Sequence, residues 1–350
     1  MRQESQDLNH LSTHAIGEAH EFLSAAVIVN RGGWTAAIPD PDRGGDLLTL
    51  NYTNGDSEPV QVKSPRETTE GPNPRAAAAA DPPRRAFQFR VSPEQRRDLG
   101  RFDVTYIVWL LRNGHRPLAL ILPTEKMREI VGAGTVWLYQ STVDDLDIVW
   151  GSVNEDGRSL QEYVENWDVF TPHPDQRNQF SFSAASEALT SHQLVLRGWS
   201  VAKPHPDRGG DILAIRLPRI LPIQAKGSDT HTVGANPVKA AQDGWNSFEI
   251  CFTSTQVDDL LAAPTNTWCI IWLAYDNYDW YPLVFRGDQL MENAPGRWGL
   301  GQKVVWIYST RGDEPEGGGR REINAVRMGG PRRGWSDILD SVDSWDRLVE

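Results

Sequence analysis

Cysteine is scarce. The 350 residues include only Cys251 and Cys269, with no CxxC partner for either. Both lie in strand-like text, FEICF and TWCIIWL, where a small buried apolar residue is the expectation. Neither a disulfide framework nor a zinc knuckle is expected from them. Long apolar runs are missing too: no stretch of about 18 such residues occurs, and the opening MRQESQDLNHLSTH has no apolar segment of the secretory kind. A cytoplasmic protein with no membrane partner is expected. Positive charge is in deficit, 35 Lys and Arg against 47 Asp and Glu, for a formal net charge of −12. This excludes a protein that coats nucleic acid with its whole surface, because such binding comes from Lys and Arg neutralising phosphates. It leaves room for a local basic groove, and Arg84-Arg85, Arg96-Arg97, Arg320-Arg321 and Arg332-Arg333 are the pairs that would line one. Nucleotide-binding loops of the G-x-x-x-x-G-K-[ST] or G-x-G-x-x-G type are absent as well.

What the chain has instead is a duplication. PDRGGDLL at 41–48 returns as PDRGGDIL at 206–213. The match runs on: VQVKS (60–64) aligns with IQAKG (223–227), GPNPRAAA (71–78) with GANPVKAA (234–241), and FQFRVSPEQRRDL (87–99) with FEICFTSTQVDDLL (248–261). YIVWLL (106–111) then meets CIIWLA (269–274), VWLY (136–139) meets VWIY (305–308), and ENWDVF (165–170) meets DSWDRL (344–349). The chain therefore reads as two tandem copies of a fold of about 170 residues. The boundary falls near TPHPDQ (171–176), giving domains 1–172 and 173–350.

Within a copy the pattern is helix, strands, helix, strand. Residues 15–29 place Ile16, Leu23, Ala26 and Val27 at helical spacing, and Gly32-Gly33 ends the element. PVQVKS alternates as a strand should, Ser92 is placed to cap a helix with Glu94 and Gln95 behind it, and TYIVWLL, PLALILP and GTVWLYQ are further strands. The expected class is α/β, with a central mixed β-sheet flanked by helices in each copy. TEGPNPRAAAAADPP, inside 63–87, reads as a flexible loop. The tryptophans that recur (Trp34/Trp199, Trp109/Trp272, Trp137/Trp306, Trp167/Trp345) are expected in the core. Trp245, Trp280, Trp298 and Trp335 occur only in the second copy, where packing between domains is the expectation.

The candidate chemistry follows the repeated turn. Gln61 and Lys63 stand two apart on one strand and so share a face. A hairpin from Asp46 brings its carboxylate beside them, with Glu18 available from the preceding helix. An acid, an amide oxygen and an ammonium at one point suit a hard divalent cation plus a phosphate. His14 and His20 near Glu18 show no ligand spacing of their own. In the second copy Asp211, Gln224 and Lys226 match the three residues, whereas Glu18 falls opposite Ala184 and Glu187 lies opposite Glu21.

The order helix Glu, GGD, then Q-x-K on the next strand resembles the PD-(D/E)XK nuclease superfamily, in the variant with Gln for the usual acid. The resemblance covers most of each copy and implies two restriction-endonuclease-like domains. It implies Mg²⁺ or Mn²⁺ as cofactor, with Asp46 as central ligand, the Gln61 side-chain oxygen and the Val62 carbonyl beside it, and Glu18 acting directly or through water. Lys63 would position the attacking water and offset charge on the phosphate. In the second copy Asp211 and Gln224 would be the ligands, Lys226 the lysine and Glu187 the helix acid. The implied activity is metal-dependent endonucleolytic hydrolysis of DNA, most simply duplex, by an intrachain pseudo-dimer. The alternative is a catalytically reduced nuclease-like module that binds DNA or a protein. The sequence leaves open whether the second copy is active.

Overall fold

The computed structural model describes residues 12–37, 46–51, 57–69, 72–80, 82–99, 103–112, 117–131, 134–143, 146–151, 159–170, 179–203, 211–216, 218–230, 241–275, 280–294, 303–312, 323–330 and 334–348. The chain divides into two compact units, Met1–Gln176 and Arg177–Glu350. The expected boundary at 171–176 and the glycine turns at 41–45 and 206–210 lie outside the described residues.

The first unit runs α1 (Thr13–Asn30), β1 (Trp34–Ala37), β2 (Leu47–Asn51), β3 (Ser57–Lys63), β4 (Glu67–Thr68), α2 (Pro72–Ala78), β5 (Arg85–Arg90) and α3 (Pro93–Asp98). It continues with β6 (Thr105–Leu110), β7 (Leu118–Leu122), α4 (Thr124–Ile130), β8 (Thr135–Val143), β9 (Leu146–Trp150) and two short 3-10 turns. The second runs α5 (Gln179–Leu196), β10 (Ser200–Ala202), β11 (Ile212–Arg216), β12 (Arg219–Asp229), β13 (Asn246–Phe252) and α6 (Ser254–Ala262). β14 (Trp268–Ala274), β15 (Trp280–Arg286), α7 (Gly287–Asn293), β16 (Lys303–Arg311), β17 (Ile323–Gly330), β18 (Gly334–Asp337) and two short 3-10 turns follow.

Each unit carries a five-stranded mixed sheet, in the order β1-β2-β3-β6-β7 and β10-β11-β12-β14-β15. The parallel pair is β3 with β6 and, in the same register, β12 with β14. Gln61 stands opposite Tyr106 and Gln224 opposite Cys269. The central strands β6 and β14 are buried along their whole length, as expected for strands covered on both faces. One face of β14 packs Ile270, Trp272 and Ala274 with Phe182, Ala185 and Leu194 of α5. The other packs Cys269, Ile271 and Leu273 with Phe248, Ile250 and Phe252 of β13.

This second layer corrects the expectation of one central sheet per copy. A separate four-stranded antiparallel sheet, β4-β5-β8-β9 in the first unit and β13-β16-β17-β18 in the second, covers the mixed sheet's other side. The cause lies in the alternation of FQF and TVWL. Phe87, Phe89, Val136 and Leu138 make one apolar face, which closes on Tyr106, Val108 and Leu110. The residues between them point away. Trp137 and Trp306 are among these, half-buried on the outward face and stacked on Tyr139 at 6.5 Å and on Tyr308 at 6.4 Å, rather than in the core.

The stretch expected as a flexible loop after Lys63 is largely folded, into β4 and α2. Its alanines carry no bulk for a core yet are the best helix formers, and Ala77 buries against Ala86 and Tyr139. Elsewhere local signals hold. Ser92 with Gln95 and Thr253 with Gln256 form reciprocal capping boxes. Gly32, Gly33 and Gly198, with φ of 79°, 72° and 78°, turn the chain out of α1 and α5.

Candidate functional site

In the first unit the β2–β3 hairpin pairs Leu47 with Val60, which sets Asp46 beside the strand that carries Q-x-K. The Asp46 Oδ2 accepts a hydrogen bond from the Val62 backbone N–H at 2.6 Å. The Val62 carbonyl, expected as a further metal ligand, is a separate group that this bond leaves untouched. Gln61 and Lys63 lie on the face shared with Tyr106 and Val108, the side of the second sheet. Gln61 is 3% exposed, and its Nε2 has no hydrogen-bond partner. An unbonded buried amide costs about 1–3 kcal/mol, so the site holds an unmet polar demand. Lys63 and Glu18 are half-buried, and neither side chain makes a hydrogen bond or ion pair among the described residues.

The second unit rebuilds the same hairpin and closes it differently. The Asp211 N–H donates to the Ile223 carbonyl at 2.8 Å, and the Ala225 N–H donates to Asp211 Oδ2 at 2.9 Å. The Gln224 side-chain amide donates to that same oxygen. Lys226 places its ammonium 5.6 Å from the Phe252 ring centre. Burial lowers the Lys226 pKa, while the Asp211 carboxylate, the Cys269 and Cys251 thiols and Glu187 oppose that shift. Glu187 is ion-paired with Lys203 at 3.1 Å.

Two matching hydrogen bonds fix the helix register. Trp109 Nε1 donates to Ser24 Oγ at 2.9 Å, and Trp272 Nε1 donates to Thr190 Oγ1 at 2.9 Å. Ser24 therefore corresponds to Thr190, Glu21 to Glu187 and Glu18 to Ala184. Glu187 lies near enough to bear on Lys226, and Glu21 holds the matching position on α1, a residue that the sequence reading left out of the site. The signal was present: Glu21 and Glu187 align as identical acids. Glu18 sits three residues earlier, on the same helix face. The approach of α5 to β12 is close at Gly227, where a Cβ would meet the Phe182 carbonyl at 2.7 Å.

Other candidates fall away from this centre. His20 is a core residue whose Nδ1 bonds the Ile16 carbonyl at 2.8 Å, and burial lowers its pKa to about 4. Arg84 is buried over the Trp150 ring at 4.1 Å, and Arg97 pairs with Glu94 on an exposed helix, so these pairs do not line one groove. Arg320, Arg321, Arg332 and Arg333 lie outside the described residues. Trp280 packs on Phe182 within its own unit, and Trp245 lies under Arg327. Trp298 and the side chain of Trp335 are outside the described residues. Both cysteines are free thiols, Cys269 buried and Cys251 half-buried.

Among the described residues no three His, Cys, Asp or Glu side chains converge as a ready metal cage, and no helix is long and apolar enough to cross a membrane. No protein-family model, curated protein or solved structure matches the chain.

Proposed function

We propose that the chain is a metal-dependent nuclease of the PD-(D/E)XK kind, hydrolysing phosphodiester bonds of duplex DNA, with its chemistry at Asp46, Gln61 and Lys63. The observation that carries this reading is the pairing of Asp46 with the Q-x-K strand through Val62, beside a buried Gln61 amide that lacks a partner. The orphan Nε2–H is a donor, which an acceptor such as a substrate phosphate oxygen would complete while the side-chain oxygen stays available to an ion.

The donor set suits Mg²⁺ or Mn²⁺ held jointly with the substrate. Mg²⁺ keeps several waters and takes one or two carboxylates plus substrate phosphate, so a complete protein cage is not required. Asp46 and the Gln61 oxygen would hold the ion, with Glu18 and Glu21 reaching it through water. The bound ion supplies Lewis acidity and a water of lowered pKa. Asp46 is aimed by the Val62 N–H, which fixes its carboxylate beside the Q-x-K strand. Lys63 offers an ammonium without an ion pair to a phosphate oxygen and offsets the negative charge that grows as water adds to phosphorus. The ester P–O bond then breaks, and the leaving oxygen takes a proton from solvent.

The reading as a binding module draws its support from the second centre, where Asp211 with Gln224 and Glu187 with Lys203 satisfy one another. The test is digestion of duplex, branched and single-stranded DNA with Mg²⁺ or Mn²⁺, against chelator and against Lys63→Ala. Cutting that needs the metal and Lys63 is expected. Wild-type protein that leaves every substrate intact would end the nuclease reading in favour of binding.

A further inference from the structure

We infer that the second centre takes no catalytic divalent ion, so that one of the two centres cuts and a duplex substrate is nicked rather than severed. This rests on the nuclease reading and narrows it. Among the described residues the two centres share a hairpin, a strand register and a helix register, and the differences to compare are those of side chains.

The charges differ first. At the positions of the first hairpin and of α1 the sequence has Asp46, Glu18 and Glu21, with Lys63 on β3. Around the second stand Asp211 and Glu187 against Lys203 and Lys226, because Ala184 replaces Glu18 and Lys203 follows β10 where the sequence has Ile38 after β1. Ile38 itself lies outside the described residues. The second centre thus has one carboxylate position fewer and one ammonium more, and both changes weaken the attraction for a dication.

Hydrogen bonding differs in the same direction. The Gln224 amide turns its N–H to Asp211, so it gives the carboxylate a hydrogen where a metal would need an oxygen. Gln61 makes no such bond through Nε2. Lys203 holds Glu187 at 3.1 Å, with the carboxylate side chain only 24% exposed. A dication entering the second centre would have to break the Asp211–Gln224 bond and compete with an ammonium for Glu187.

Calorimetric titration of the full chain with Mn²⁺ alone separates the two centres without reference to cutting. One ion per chain is expected, bound at least tenfold more weakly in Asp46→Asn and unchanged in Asp211→Asn. The double variant Ala184→Glu/Lys203→Ile, which gives the second centre the first one's charges, should raise the count to two. Two ions in the wild type, or loss of the ion in Asp211→Asn, overturns the inference. No ion in the wild type overturns the metal-dependent reading beneath it.

Discussion

The two Q-x-K centres are built on one backbone plan and differ in whether their polar groups are already content. In the second, Asp211 meets Gln224 and Glu187 meets Lys203. In the first, Gln61 keeps a buried amide nitrogen unbonded, and Lys63 has no ion pair among the described residues. A duplicated motif can thus be preserved as letters while the side chains around it change. On the proposed reading Ala184 and Lys203, neither of which belongs to the motif, set the second centre apart.

The largest difference should appear in cutting. Lys63→Ala is expected to slow hydrolysis about 10²–10³-fold, the usual cost of deleting one transition-state donor. Lys226→Ala should change it by less than about threefold, since removal of a group outside the working centre leaves the barrier alone. Single-turnover rates on an oligonucleotide duplex measure both, and equal losses would erase the contrast.

Next comes acid. Only the first unit buries a histidine at this helix position, where the second has Ser186. Because burial lowers the His20 pKa from 6.5 to about 4, the neutral form is favoured in the fold. Stability is therefore complete above the unfolded value and is lost as pH falls from 6.5 towards 4. The full loss is about 3 kcal/mol. Hydrogen exchange, converted to opening free energies, should show α1 weakening across that window more than α5.

Packing gives a third contrast. Gly227→Ser brings a Cβ to 2.7 Å from the Phe182 carbonyl and should cost the second unit about 1–3 kcal/mol by overpacking. The reverse change, Ser64→Gly, removes a hydroxyl that is buried without a partner and should cost less. Denaturant midpoints followed by Trp fluorescence compare the two. Smallest, and alike in both units, are the caps: Ser92→Ala and Thr253→Ala should each cost about 1 kcal/mol, read as equal local losses of exchange protection in α3 and α6.

Much of this arrangement is legible in the chain because duplication shows which residues travel together. The alignment matches Tyr106 with Cys269 and Gln61 with Gln224, and the strand pairing observed is the same in both copies, Gln61 opposite Tyr106 and Gln224 opposite Cys269. It also paired Glu21 with Glu187, although motif order drew attention to Glu18. What stayed hidden was non-local. Alternation shows that β5 and β8 have an apolar face but not which surface closes it, so the second sheet was missed. Alanine-rich text reads as loop when bulk is the criterion and as helix when propensity is, and Ala77 needed Ala86 and Tyr139 to decide it. The Glu187–Lys203 pair joins a helix to the residue after a strand, a contact that no local pattern announces.

The most direct test of the account is the product formed from supercoiled plasmid with wild-type protein and Mg²⁺. Open circles that accumulate before any linear DNA, and that vanish with chelator, are predicted for one working metal centre. Linear DNA appearing directly from supercoil, through concerted cuts that Lys226→Ala converts to nicks, would contradict it.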